Sequence, residues 1–81
     1  MKLATKLIKN RYYLRESVHG SYSIVFKALD NISEFKLLYT CQDVTVEKDG
    51  ERTILFNLSR YFRSDDVYEI SEDEFLLRTI K

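Results

Sequence analysis

Asp49-Gly50, set between Val44-Thr45-Val46 and Ile54-Leu55-Phe56, limits the fold of this chain more than any other feature. A two-residue type I′ hairpin turn needs positive φ at both central positions, and Asp followed by Gly accepts that conformation at little steric cost. With such a turn Glu47 falls opposite Arg52 and Val44 opposite Leu55, so opposed charges and apolar pairs agree on one register. Ile54, Phe56 and Leu58 alternate on one face with Leu55 on the other, which predicts a central strand.

The remaining strands follow from alternation. Arg11-Tyr-Tyr-Leu-Arg-Glu-Ser17 is aromatic-rich and reads as a strand, and Val18-His19-Gly20-Ser21 reads as a turn. In Tyr22 to Leu29, Tyr22, Ile24, Phe26 and Ala28 share a face, and Val25 and Leu29 make the other partly apolar. Phe35, Leu37, Tyr39 and Cys41 alternate in the next strand. There the apolar parity slips to Val44 and Val46, which predicts a β-bulge near Gln42-Asp43. Ser59 to Asp66 loses periodicity and reads as a loop with Tyr61 or Phe62 turned inward, and Val67 to Ile70 reads as a short strand.

Helical signals stand at both ends. Leu3, Leu7 and Ile8 are spaced for one narrow helical stripe over residues 3–9. Ser71-Glu-Asp-Glu74 fits a capping box, with Ile70 and Phe75 as its hydrophobic staple. Acids in the first turn and Arg78 near the end suit the helix dipole, and Phe75, Leu76 and Thr79 or Ile80 are expected to face the sheet. The expected fold is therefore α+β: a small antiparallel sheet of about five strands, with a short N-terminal helix and a capped C-terminal helix. It is either a sheet with one covered face or a small SH3-like barrel.

Eighty-one residues make a single domain, residues 1–81, and so short a chain has a thin core. Six Tyr and five Phe offset this with large buried areas, and the absence of Pro with only two Gly argues against a linker. Cys41 is the only cysteine, so no internal disulfide forms. Lysines interrupt Met1 to Asn10, leaving no signal-peptide core, and nothing approaches the length of a membrane span. The expected location is cytoplasmic.

Catalysis finds little support. A Cys41–His19 dyad would need the two groups adjacent and an orienting third group, whereas Cys41 shares its parity with core residues and His19 sits in a turn. One His and one Cys cannot close a zinc site, and Asp65, Asp66 and Glu69 lack the spacing of an EF-hand loop. No Gly-rich phosphate cradle is present. The expectation is a non-enzyme without metal or cofactor.

Charge points to binding. Net charge is zero, yet residues 1–36 hold seven Lys/Arg and three acids while residues 37–81 hold six and ten. Asp65, Asp66, Glu69, Glu72, Asp73 and Glu74 run without an intervening base. With Tyr61 and Tyr68, the acids Asp65, Asp66, Glu69, Glu72 and Asp73 form a candidate surface for a larger protein, since Tyr is enriched at interface hot spots. Lys6, Lys9, Arg11, Tyr12 and Arg15 offer the alternative, phosphate-seeking charges beside a stacking platform for nucleic acid. The two ends could also neutralise each other within the fold, or across a homodimer. In its shortness, its Lys and Ile content and its lack of motifs, the chain resembles proteins encoded by phages and mobile elements of low-GC bacteria. That resemblance implies an adapter or a stoichiometric anti-defence inhibitor, and it assigns no residue a role.

Overall fold

The computed structural model describes residues 2–17, 20–34, 38–64 and 66–79, with backbone alone for residues 38, 55–58 and 61. The hairpin forms as its turn residues dictate. β4 (Leu38–Lys48) and β5 (Glu51–Tyr61) are joined by Asp49 at φ 54° and Gly50 at φ 80°, both in the left-handed region a type I′ turn requires. Lys48 faces Glu51, Glu47 faces Arg52 and Val44 faces Leu55, the expected register. Arg52 Nε donates to Glu47 Oε2 at 2.8 Å across the ladder.

The expected bulge is also there. β2 (Tyr12–Glu16) and β3 (Tyr22–Ala28) pair regularly, but between β3 and β4 the register moves by one, from Val25↔Thr45 to Lys27↔Gln42. Two β4 residues, Asp43 and Val44, thus stand opposite the single Phe26, and Asp43 takes a φ of 55°. The extra residue restores the inward direction, so Tyr39, Cys41 and Val44 are all buried in one core.

β6 (Val67–Ile70) returns antiparallel onto β2, and β1 (Lys2–Leu3) pairs on its far side. The sheet order is β1-β6-β2-β3-β4-β5, antiparallel throughout, with β5 at one end. One face carries the larger core: Tyr13, Ile24, Phe26, Tyr39, Cys41 and Val44, closed over by Ala4, Leu7, Ile32 and Phe62. Tyr13 stacks on Phe26 at 5.7 Å, and Phe26 meets Tyr39 at 5.4 Å. The opposite face buries Leu14, Val25 and Ile70 under Phe75 of α1 (Glu72–Thr79), with Tyr12 at 4.5 Å from the Phe75 ring.

The C-terminal helix starts where expected, with one half of the capping box formed: Glu74 N–H donates to Ser71 Oγ at 3.1 Å, and Ile70 packs with Phe75. The Glu74 carboxylate turns forward to Arg78, 2.8 Å away, one turn on. Leu76, expected to face the sheet, is exposed, because an eight-residue helix resting on Phe75 covers only a narrow strip. Ile80 lies outside the described residues.

Three further expectations are corrected. Residues 3–9 are not a helix: Ala4 N–H donates to the Val67 carbonyl, and Leu7 and Ile32 exchange two hydrogen bonds at 2.8 and 2.9 Å. One narrow stripe cannot support helix nucleation, so the backbone pairs with the sheet while Ala4 and Leu7 enter the core. Residues 59–61 are strand, since Ser59, Arg60 and Tyr61 pair with Thr40, Tyr39 and Leu38, and Phe62 is buried immediately after. Finally, β5 is not central but terminal. Among the described residues six strands form where about five were expected.

Candidate functional site

The two oppositely charged segments meet each other along β2 and β6. Arg15 on β2 faces Val67 in the ladder, one residue from Asp66, and its Nε lies 3.7 Å from Asp66 Oδ1. Arg63 Nε approaches the other carboxylate oxygen at 3.8 Å. The Arg15 and Asp66 side chains keep only 15% and 14% of their surface exposed. Beside them burial, and secondarily the Cys41 thiol, push the Tyr39 hydroxyl up to about 12, with Arg15 pulling the other way. Farther along the seam Arg11 Nη1 reaches Glu69 Oε1 at 3.4 Å, an exposed contact.

The acidic candidate surface is therefore divided. Asp66 and Glu69 turn onto arginines of the N-terminal segment, while Glu72 and Asp73 stand exposed in the first turn of α1. Tyr68 is half-buried, beside Leu14 in the β2–β6 ladder. Asp65 lies outside the described residues, as does the Tyr61 side chain. The basic candidate surface is divided in the same way. Lys6 and Lys9 are exposed, Arg11 and Arg15 are in ion pairs, and Tyr12 lies against Phe75. His19 falls outside the described residues, and Cys41 is fully buried. Among the described residues no three of His, Cys, Asp and Glu come together as a metal site, and no helix is long and apolar enough to cross a membrane.

A different surface stands out at the end of the sheet. Leu14, Val25, Thr45 and Ile54 form one cross-strand row from β2 to β5. The first three are buried, Thr45 at 3% exposure, whereas Ile54 is 53% exposed. The cover provided by α1 thus stops between β4 and β5. Arg52 Nη1 donates to the Leu77 carbonyl at 3.3 Å, so a long side chain on the Ile54 face of β5 ties that strand to the last turn of α1. Leu77 itself is 64% exposed, so the chain leaves an apolar residue in solvent on β5 and another on the helix turn tied to it. On the other face, Val46, Lys48, Asp49, Glu51 and Thr53 line a depression of about 410 Å³.

The backbone of that edge has a defined pattern. A two-residue turn makes Lys48 and Glu51 a hydrogen-bonded pair, so Glu51 and Thr53 direct their N–H and C=O groups to β4. Ile54 directs its own outward, past the end of the sheet. Alternation alone concealed this surface, since apolar residues of both parities mimic a strand buried on both sides. The arginines at both ends of the run were the available signal. Comparison with protein families, curated proteins and solved structures finds no match for this chain.

Proposed function

We propose that the chain is a non-enzymatic protein-binding module, an adapter or stoichiometric inhibitor of a larger protein, with β5 and the last turn of α1 as its contact surface. The carrying observation is the row Leu14–Val25–Thr45–Ile54, along which burial ends abruptly at the terminal strand. An apolar strand residue beside an apolar helix residue at an open sheet edge is a surface that a protein partner would cover. The meander β2 to β5 with β6 returning onto β2 supports reading the scaffold as a partly rolled, SH3-like barrel. The internal use of Asp66 and Glu69 favours β5 over the acidic segment as the contact.

Affinity capture from the source cell tests this with three forms of the chain: wild type, Ile54→Lys, and the Glu72→Lys/Asp73→Lys pair. A protein retained in stoichiometric amount by the wild type and the acidic-segment variant, and lost with folded Ile54→Lys, is the expected result. Retention by Ile54→Lys would remove β5 as the contact. A second reading, nucleic-acid binding, is favoured by the exposed Lys6 and Lys9 alone. Capture of oligonucleotide with a steep salt dependence that is lost on Lys6→Glu/Lys9→Glu would select it over the first.

A further inference from the structure

Among the described residues no strand pairs with the outer edge of β5, which exposes Ile54 and carries Arg52 and Arg60, and these properties together specify what it would take up. We propose that β5 accepts an extended acidic segment of the partner as an added strand. This inference rests on the protein-binding reading and names its mode and the partner chemistry.

Backbone groups supply the first argument. Ile54 presents its N–H and C=O outward, and strand addition satisfies such groups with the partner's main chain. Natural edge strands guard against this with charged side chains, Lys above all, with Pro or with a bulge that twists the edge away. β5 has neither Lys nor Pro, and its charges, Glu51, Arg52 and Arg60, stand near its two ends and leave Thr53 to Ser59 uncharged.

Side chains supply the second. Successive residues of an added strand point to opposite faces. One set would rest on Ile54 and Leu77, and the other would reach the depression beside Val46 and Thr53.

Charge supplies the third. From Arg52 to Arg63 the sequence holds three arginines and no acid. Arg52 is matched by Glu47 and Arg63 by Asp66, whereas exposed Arg60 makes no ion pair among the described residues. An acidic strand is drawn to such an edge. A second copy of β5 would bring like charge against like, which opposes pairing.

The test uses the intact, isotope-labelled chain and two short acetylated peptides, one alternating valine with glutamate and one alternating valine with lysine. Amide resonances are followed during titration. The glutamate peptide is expected to shift β5 amides, that of Ile54 foremost, and the lysine peptide to leave them in place. Ile54→Pro removes an outward N–H without breaking the ladder to β4, and Arg60→Glu reverses the unmatched charge; each is expected to weaken binding about tenfold. No shift in β5, equal binding of both peptides, or full affinity in folded Arg60→Glu would overturn the inference. Shifts that depend on chain concentration without peptide would overturn it in favour of self-association. Failure with the peptides leaves the protein-binding reading standing, because affinity capture decides that separately.

Discussion

Thr45 and Ile54 face each other across the β4–β5 ladder, yet Thr45 is 3% exposed and Ile54 53%. The polar partner is hidden and the apolar one is in solvent, the reverse of what burial energetics alone would select. The inversion falls where the cover of α1 ends, and it makes Ile54 a residue whose stability role and binding role can be separated.

Ile54→Lys is expected to change folding stability by no more than about 0.5 kcal/mol, as for a surface substitution. Phe75→Ala, which removes the buried ring holding α1 against Leu14, Val25 and Ile70, is expected to cost about 3 kcal/mol. Urea unfolding of the two variants beside the wild type measures both. A large loss in Ile54→Lys would show that Ile54 is packed.

Gly50→Ala is expected to destabilise the fold by about 1 kcal/mol, the strain of a side chain in the left-handed region. A methyl group added there meets no atom within 4 Å, so strain at φ 80° is the whole effect. Thermal unfolding should register a fall of about 4–8 °C per kcal/mol for a domain of this size. An unchanged midpoint would mean the turn is not type I′.

The two ion pairs of the β2–β6 seam should differ sharply. Arg15→Met takes the guanidinium away from the largely buried Asp66 carboxylate, and a loss of about 3 kcal/mol is expected. Arg11→Gln breaks the exposed contact to Glu69 and should cost less than about 1 kcal/mol. Double-mutant cycles with Asp66→Asn and Glu69→Gln separate the pair energies from other effects of each substitution.

Alkaline pH should weaken the fold through Tyr39. Its hydroxyl keeps its proton to about pH 12 when folded, against the ordinary value of 10.0, so the folded state binds the proton more tightly than the unfolded chain. The contribution is complete below pH 10, falls as pH rises from 10 to about 12, and is then lost. Burial raises Tyr13 in the same direction. Tyr39→Phe is expected to flatten the decline of stability above pH 10, measured by urea unfolding at a series of pH values; an unaltered slope would assign the decline elsewhere.

What the sequence made legible was local and self-consistent. Asp49-Gly50 predicted the turn and the register because both residues accept positive φ, and the parity slip at Asp43 predicted the bulge because Cys41 and Val44 must both turn inward. Ser71 predicted the helix start through a side chain three residues from the amide it caps. What stayed hidden depended on distant partners. The stripe Leu3-Leu7-Ile8 carries the spacing of a helix, but Val67 and Ile32 claim its backbone hydrogen bonds. The basic and acidic segments each read as an external surface until the return of β6 onto β2 set Arg15 beside Asp66 and Arg11 beside Glu69. The edge position of β5 followed from strand order, which alternation does not encode.

The open edge itself is tested most directly by residue-resolved amide hydrogen exchange along Glu51 to Ile54, in the free chain and with the alternating glutamate peptide. In the free chain the Thr53 amide should be protected by its bond to β4, while Ile54 exchanges at close to its unprotected rate. Addition of the peptide should slow Ile54 and leave Thr53 as it was. Protection of Ile54 in the free chain, or no slowing at saturating peptide, would contradict the account.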